Sequence, residues 1–232
     1  GRDFNTVRPT GRQQNKDALP AIRLIVKRKR FSSMRITGII LAGGKNSRMG
    51  TPKAFLKVNG SRLIDKILAV YREIFAEIII VTNNPAAYLE FHDTAIVADI
   101  YDGKGALGGI YTGLFYATTE YSFVTACDMP FLNRDFLRYV TGKAGKHDVI
   151  VYEHDGGYEP LHALYSQKCL LPIKRLLQAN ELKITGFYKG LRLMKISPEK
   201  IKQLDPHGRL FLNINTPEEL RRAGCPDGDA NS

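Results

Sequence analysis

From residue 36 onwards, the chain alternates short runs of apolar residues with longer segments in which apolar side chains recur at helical spacing. Strands that alternate with helices in this way predict βαβ units, and hence an α/β fold with a mostly parallel sheet. The run at residues 78–81 contains four consecutive aliphatic residues, which is typical of a strand that is covered on both faces. The pattern therefore predicts three layers, with helices on both sides of one sheet.

The same periodicities predict the individual elements. Strands are expected at residues 36–41, 78–81, 94–98, 122–126, 149–152, 161–165 and 210–214. Helices are expected from about residue 61, in a short helix that contains Tyr88 after Pro85, at 109–118, from the N-cap Asn133 through Val140, and at 169–178. A last helix is expected to begin at Thr216-Pro-Glu-Glu219, which supplies an N-cap, a proline at N1 and a capping-box glutamate at N3.

Composition excludes several classes of protein. The 232 residues are 44% hydrophobic, which is enough for the core of one domain, and no run of about 18 apolar residues is present that could span a membrane. The three cysteines, Cys127, Cys169 and Cys225, are far apart and form no CxxC pair, so neither a zinc site nor a disulfide framework is expected. Unpaired cysteines fit a reducing compartment, and we expect a cytoplasmic protein.

The net charge of +11 is concentrated at the N-terminus. Residues 1–33 contain nine basic and two acidic residues, a net charge of +7, which leaves +4 for the other 199 residues. That smaller charge suits a protein that handles phosphates and does not require a nucleic-acid partner. We therefore expect a basic N-terminal extension (1–33), one folded domain (34–223) and a disordered tail (224–232). The extension is expected to be disordered or to precede a natural start at Met34, with a transit peptide as the alternative.

The strand at residues 36–41 ends in a glycine-rich loop with the sequence LAGGKNSRMGTPK, residues 41–53. At the carboxyl end of a parallel strand, such a loop directs backbone N–H groups at a ligand, and these donors favour anions. Gly43 and Gly44 let the backbone approach that ligand closely. Arg48 offers a planar fork to phosphate oxygens and Lys53 a compact positive charge. We predict that both are catalytic residues that stabilise a triphosphate and its pyrophosphate leaving group.

Two common nucleotide-binding motifs do not match this loop. A Walker loop requires a glycine five residues before its Gly-Lys-Ser/Thr ending, but Lys45 occupies that place and Thr51 follows Gly50. A dinucleotide fingerprint requires G-x-G-x-x-G and an acidic residue at the end of the second strand, but here that strand ends in Val81-Thr-Asn-Asn84. The loop therefore belongs to a different class of nucleotide site.

Asp128 follows the predicted strand at residues 122–126 and precedes Met-Pro. Its carboxylate is therefore expected at the same edge of the sheet as the glycine-rich loop. A hard oxygen ligand at that place suits Mg²⁺ that is shared with substrate phosphates. The alternative is a turn aspartate that serves only its own backbone.

The loop LAGGKNSRMGTPK resembles the signature of the molybdenum cofactor guanylyltransferases, within the wider family of MobA-like nucleotidyltransferases. The resemblance extends over nearly all of residues 36–222 through motifs in the same order: Asp99, Gly108-Gly109, Asp128-Met-Pro130, EPLHALY (159–165) and NINTPEEL (213–220). The last motif makes the guanylyltransferase assignment specific. The resemblance implies a Rossmann-like α/β/α fold of the nucleotide-diphosphosugar transferase type.

The resemblance also implies a nucleotide site. It places Asp128 on the metal and the nucleotide, Lys53 on the nucleotide, and Asp99 on the nucleoside, with an Asx turn as the structural alternative for Asp99. Relatives have an asparagine near the end of the second strand, for which we choose Asn83, although Val81 or Thr82 could align instead. The backbone of the loop start completes the predicted guanine site: Leu41, Ala42, Gly43 and Gly44.

The identity of the base and of the acceptor follows from the same resemblance. Related cytidylyltransferases carry Leu-Ala-Ala-Gly, so the second glycine of Ala42-Gly43-Gly44 favours the larger guanine. Asn213 and Asn215 alternate along a predicted strand and would contact a pterin, unless they serve only the strand end and the helix cap. Lys183 is expected to bind the second substrate, although relatives often have arginines there, which provide a bidentate fork that lysine lacks. A lone strand histidine is usually structural, so His162 is not expected to be catalytic.

The reaction implied by the resemblance is the transfer of GMP from GTP to the terminal phosphate of molybdopterin, with Mg²⁺ as cofactor. Cofactor-supplying proteins and molybdoenzymes are the implied protein partners, and no nucleic acid or membrane is expected. The alternatives are a cytidylyl- or sugar-1-phosphate nucleotidyltransferase, or a carrier that binds GTP without catalysis.

Overall fold

The structure of the protein is a computed structural model, which describes residues 35–43, 52–58, 60–214 and 219. The predicted N-terminal extension and the predicted tail lie outside these residues. Within them, the strands are β1 (Ile36–Leu41), β2 (Lys57–Val58), β3 (Ser61–Arg62), β4 (Glu77–Val81), β5 (Ala95–Val97), β6 (Tyr121–Ala126), β7 (Val149–His154), β8 (Gly157–Ser166) and β9 (Leu193–Ile196). The α-helices are α1 (Leu63–Ile74), α2 (Gly105–Tyr116), α3 (Arg134–Thr141), α4 (Leu170–Gln178) and α5 (Pro198–Leu204).

Seven strands of the described residues form one sheet in the order β5-β4-β1-β6-β8-β7-β9. All of them run in the same direction except β8, which pairs antiparallel with both β6 and β7. The short strands β2 and β3 form a separate antiparallel pair. The predicted α/β fold with a mostly parallel sheet is therefore confirmed, and β7 and β8 form an antiparallel hairpin.

Two hydrophobic cores cover the two faces of the sheet. Helices α1, α3 and α5 contribute buried side chains to the core on one face. Helices α2 and α4 contribute to the core on the other face. In β1, Ile40 belongs to the first core and Ile39 to the second, and neither has any exposed surface. Strands with apolar residues on both sides need a helical layer on each face, which confirms the three predicted layers.

Gly38 lies in the middle of β1 beneath two aromatic rings. A Cβ at this position would lie 2.6 Å from Cδ2 of Phe75 and 2.6 Å from Cδ2 of Tyr71. Both rings are buried in the close-packed core. We therefore expect Gly38→Ala to lower the free energy of unfolding by about 1–3 kcal/mol through overpacking, measured by urea denaturation. Gly156→Ala in the exposed hairpin turn is the control, because a Cβ there would lie 3.2 Å from Cε1 of His154, a longer contact outside the core, and equal stability of the two variants would contradict this packing.

Helix α2 begins four residues earlier than predicted, at Gly105 and not at Gly109. The prediction treated the glycine-rich residues 99–109 as a loop because glycine disfavours helices. The helix is apolar on nearly every side, since it packs directly on the sheet. Gly113 allows this close approach, because a Cβ there would lie 2.6 Å from Cγ2 of Ile39.

Two other predictions require correction. Residues 210–214 are not a strand, because they pair with no neighbouring strand and instead follow a turn in which the Leu210 N–H donates to Oδ2 of Asp205 at 2.7 Å. Helix α1 begins at Leu63, since Ser61 and Arg62 pair with β2. Strand β9 and helix α5 were not predicted. The predicted start at residues 216–219 lies outside the described residues, except for Glu219.

The remaining predicted elements are confirmed to within a few residues, including the Asn133 cap. Oδ1 of Asn133 accepts hydrogen bonds from the N–H groups of Asp135 and Phe136, at 2.8 and 3.0 Å. Within the part of the chain that the structure describes, no helix is both long enough and apolar enough to span a bilayer.

Candidate active site

The carboxyl ends of β1, β4, β5 and β6 meet at one edge of the sheet, where they border a cavity of about 1160 Å³. Ligands of open α/β sheets bind at this edge. The described residues that line the cavity include most of those predicted from the sequence: Leu41, Ala42, Gly43, Lys53, Asn83, Asp99, Asp128 and Asn213. Gly44, Arg48 and Asn215 lie outside the described residues.

The start of the glycine-rich loop is fixed by its neighbours on three sides. The Ala42 N–H donates to the carbonyl of Val81 at 2.8 Å, and the Cys127 N–H donates to the carbonyl of Leu41 at 3.0 Å. The hydroxyl of the buried Tyr88 donates to the carbonyl of Ala42 at 3.3 Å. These bonds set the direction in which the chain leaves β1 before it enters the loop.

Lys53 and Asp128 face each other at the cavity. Lys53 begins a short 3-10 helix, and Asp128 follows β6. Nζ of Lys53 lies 3.8 Å from Oδ2 of Asp128, and each side chain is only 25% exposed. The Asp128 carbonyl accepts a hydrogen bond from the Ile214 N–H at 2.8 Å, which joins the segment that carries Asn213 to the same site. The structure thus brings a cation, a carboxylate and an amide together.

Burial raises the pKa of the Asp128 carboxyl, and the positive charge of Lys53 opposes that rise. A carboxylate that is partly removed from water gains more from a cation than an exposed one does. Its oxygen atoms are the hard ligands that Mg²⁺ prefers. Among the described residues, no group of three or more histidine, cysteine or acidic side chains could hold a metal. The carboxylate of Asp128 therefore fits a divalent cation that takes its other ligands from substrate phosphates and water.

Asp99 is held in place by the helix that follows it. The Thr112 hydroxyl donates to Oδ1 of Asp99 at 2.7 Å, and the Tyr101 N–H donates to the same oxygen at 3.0 Å. A Cβ at Gly108 would lie 3.2 Å from Oδ2 of Asp99, so the glycine makes room for this carboxylate. Burial raises the pKa of Asp99. The Asx turn that was the structural alternative is therefore present, and the carboxylate also lines the cavity.

Asn83 lies directly after β4 and next to the start of the loop. Its backbone nitrogen would lie 3.9 Å from a Cβ built on Gly43. The Asn83 side chain is exposed at the cavity, and its Nδ2 donates to Oδ1 of Asp102 at 2.9 Å. Thr82 is instead buried, and its hydroxyl accepts from the Asn84 N–H at 3.2 Å. Of the three residues that could align with the relatives' asparagine, Asn83 thus presents an amide to the cavity.

The predicted acceptor residues are brought to the cavity only in part. Asn213 lines the cavity, whereas Lys183 is exposed beside it and Leu182 forms the wall. His162 is fully buried against Phe123, Phe136 and Phe211. Burial lowers the pKa of His162 to about 3, so the ring is neutral at physiological pH. This environment agrees with a structural role.

Comparison with known proteins decides the family. The model of the MobA-like NTP transferase domain matches residues 38–192. The chain belongs to this family. As a MobA-like protein it is a nucleotidyltransferase, and its fold is the Rossmann-like fold of these enzymes.

Three relatives of this nucleotidyltransferase have informative names. A molybdenum cofactor guanylyltransferase of Desulfosudis oleivorans is 40% identical over 190 residues, covering 81% of this chain and 94% of the relative. A probable molybdenum cofactor guanylyltransferase of Natranaerobius thermophilus is 35% identical, with the same two coverages of 81% and 94%. The crystal structure of molybdopterin-guanine dinucleotide biosynthesis protein A from Archaeoglobus fulgidus superposes with a TM-score of 0.69 at 28% identity, covering 81% of this chain and 96% of that one.

The structure adds three residues to the site of this nucleotidyltransferase that the sequence prediction did not select. Thr112 positions Asp99, Tyr88 holds the loop start, and Asp102 pairs with Asn83. The sequence did contain a signal for Thr112, because a polar threonine is unusual within the glycine-rich, apolar α2. Asp102 matches no motif of the family, and its contact with Asn83 becomes visible only in the structure.

Proposed function

We propose that this nucleotidyltransferase transfers GMP from GTP to the terminal phosphate of molybdopterin, as the molybdenum cofactor, giving molybdopterin guanine dinucleotide and pyrophosphate. The observation that carries the proposal is the approach of Lys53 to Asp128 at 3.8 Å beside the start of the glycine-rich loop. That arrangement suits a triphosphate with a divalent cation. The names of the relatives support guanine as the base and the molybdenum cofactor as the acceptor.

The chemistry requires little from the protein beyond positioning and charge. A phosphate oxygen of the acceptor forms a bond to the α-phosphorus of GTP, and the bond from that phosphorus to the bridging oxygen of the β-phosphate breaks. The nucleophile is already an anion, so no general base is needed. Catalysis then depends on holding the reacting groups in line and on neutralising the charge of the departing pyrophosphate.

The described residues can be assigned to these tasks. The backbone at Leu41, Ala42 and Gly43 and the side chain of Asn83 bind guanine, with Gly44 as predicted from the sequence, and Asp99 contacts the nucleoside. Asp128 would hold Mg²⁺, which supplies positive charge to the phosphate oxygens when it is bound. Lys53 stabilises the departing pyrophosphate, together with Arg48 as predicted from the sequence.

The acceptor is proposed to lie at the other end of the cavity. Asn213 lines this region and would satisfy the polar edge of the pterin, together with Asn215 as predicted from the sequence. Leu161 and Leu182 add apolar wall for the ring, and the exposed Lys183 beside them would meet its phosphate. We propose a cytoplasmic enzyme that exchanges its cofactor with cofactor-supplying proteins and molybdoenzymes.

Pyrophosphate release tests this function. We expect release from GTP only when Mg²⁺ and molybdopterin are both present, and little release when CTP replaces GTP. Binding of GTP without any release would indicate a carrier and would overturn the enzymatic proposal. Faster release from CTP, or from GTP with a sugar 1-phosphate, would replace the proposed substrates with those of the related transferases.

A further inference from the structure

Asn83 and Asp102 form a hydrogen-bonded pair at the mouth of the cavity. Nδ2 of Asn83 donates to Oδ1 of Asp102 at 2.9 Å, and both side chains line the cavity. Asn83 follows β4, and Asp102 lies in the turn between β5 and α2. The two strands are neighbours in the sheet, and the Thr82 N–H donates to the carbonyl of Val97 at 3.0 Å between them. The pair therefore has a fixed place next to the start of the glycine-rich loop.

The chemistry of the two side chains fixes the orientation of the pair. An ionised carboxylate only accepts hydrogen bonds, so the Asn83 amide must direct its nitrogen, and not its oxygen, at Asp102. This bond uses one amide hydrogen of Asn83 and Oδ1 of Asp102. The amide oxygen of Asn83 and Oδ2 of Asp102 then form two neighbouring acceptors, one of which carries negative charge.

The turn that carries Asp102 depends on glycine. Gly103 and Gly105 have φ angles of 74° and 62°, in the left-handed region that other residues rarely adopt. They reverse the chain after Asp102, so that α2 can begin at Gly105 and Gly109 can pack against Leu41. The position of Asp102 at the cavity is thus set by the backbone.

We propose that Asp102 and Asn83 together determine specificity for guanine, with Oδ2 of Asp102 and the amide oxygen of Asn83 accepting hydrogen bonds from the 2-amino group and N1–H of the base. This inference rests on the proposed function for the place of the base beside Gly43. Guanine carries two adjacent donors on its pairing edge. Cytosine presents acceptors at N3 and O2, adenine an acceptor at N1 beside one amino group, and uracil a single N–H between two carbonyls. A pair of acceptors therefore matches guanine and repels the pairing edge of cytosine.

The size of the discrimination follows from the charge of Asp102. Hydrogen bonds to an ionised acceptor are stronger than those between neutral groups. A base that lacks the matching donor would cover Oδ2 of Asp102 without giving this oxygen a hydrogen bond, which is costly. Inosine triphosphate differs from GTP only in the absence of the 2-amino group, so it tests this contact alone.

The experiment measures equilibrium binding of GTP and inosine triphosphate, in the presence of Mg²⁺, to the full chain and to Asp102→Asn. The asparagine retains the shape of the side chain but replaces one acceptor with a donor. We expect the full chain to bind GTP at least about tenfold more tightly than inosine triphosphate. In Asp102→Asn this ratio is expected to fall below about one third of its original value, mainly through weaker binding of GTP. Asp155→Asn, in the exposed turn between β7 and β8, is the matched control and should keep the original ratio.

A ratio in Asp102→Asn that stays above this limit overturns the inference, as does a full chain that does not distinguish the two nucleotides. Turnover adds a second readout, because a contact to the base should raise KM while kcat stays within about twofold. Binding does not require the acceptor, so a loss of discrimination without any pyrophosphate release would support the role of Asp102 and reject the proposed reaction. Asn83→Ala should lower the same ratio, and the double variant should add little further loss.

Discussion

Replacing Asp128 with asparagine is expected to lower the rate of pyrophosphate release at least about a hundredfold, because the side chain loses the charge that holds a divalent cation beside the phosphates. The Asp128 side chain is only 25% exposed, and its Oδ2 lies 3.8 Å from Nζ of Lys53. The measurement is the rate of pyrophosphate release at saturating GTP, molybdopterin and Mg²⁺. Binding of Mn²⁺ by the GTP complex provides a readout that is independent of turnover and should weaken in parallel.

Thermal unfolding separates this loss from a loss of fold. Burial raises the pKa of Asp128 in the folded state, so its contribution to stability is present below the pKa of the unfolded state and is lost as the pH rises through the folded pKa. At neutral pH, asparagine removes the cost of burying an ionised carboxylate. We therefore expect the Tm of Asp128→Asn to be no lower than that of the original chain. Asp155→Asn is the control for the same change of charge on the surface. A rate for Asp128→Asn within about tenfold of the original would contradict the role of the carboxylate.

Replacing Lys53 with alanine is expected to lower turnover at least about tenfold while the fold persists, since a charge contact to the transition state should contribute over about 1.4 kcal/mol. The variant has a second consequence. Lys53 opposes the rise in the pKa of Asp128 that burial causes, so its removal should raise that pKa further. Activity that requires the ionised carboxylate falls as the pH drops through this pKa. The acidic limb of the pH–rate profile should therefore move to higher pH in Lys53→Ala.

Lys57→Ala is the matched control for this second variant. Lys57 is exposed in β2, only four residues along the chain, and it is absent from the cavity lining among the described residues. It should leave both the rate and the pH profile unchanged. An unchanged rate in Lys53→Ala would remove this lysine from the site, and a reduced rate without a shift of the acidic limb would show that Lys53 and Asp128 act independently.

The sheet could be predicted because its strands are marked by apolar runs that satisfy two cores at once. Ile39 and Ile40 of β1 face opposite cores, and the sequence shows this as consecutive aliphatic residues. Helix α2 was harder to predict, because its glycines suggest a loop until the contact of Gly113 with Ile39 is known. The segment at residues 210–214 has the alternation of a strand but finds no partner, since tertiary contacts decide whether such a segment pairs.

The residues of the candidate site, too, could be predicted from the sequence only in part. Residues that directly follow parallel strands, such as Asn83, Asp99 and Asp128, could be placed together because the strands end at one edge of the sheet. Residues that orient them could not, because the turn at Gly103 and Gly105, two glycines with positive φ angles, decides where Asp102 and the helix that carries Thr112 lie. Lys183 was selected only by resemblance, and it lies beside the cavity wall.

The transfer of the α-phosphate tests the central claim most directly. GTP carrying radioactive phosphorus at the α-position is incubated with the full chain, Mg²⁺ and molybdopterin, and a parallel reaction uses label at the γ-position. We predict that the α-label appears in molybdopterin guanine dinucleotide and the γ-label in pyrophosphate, with neither product formed when molybdopterin is omitted. Label that remains in bound GTP, or α-label released as free GMP, would contradict the transfer of GMP to the cofactor.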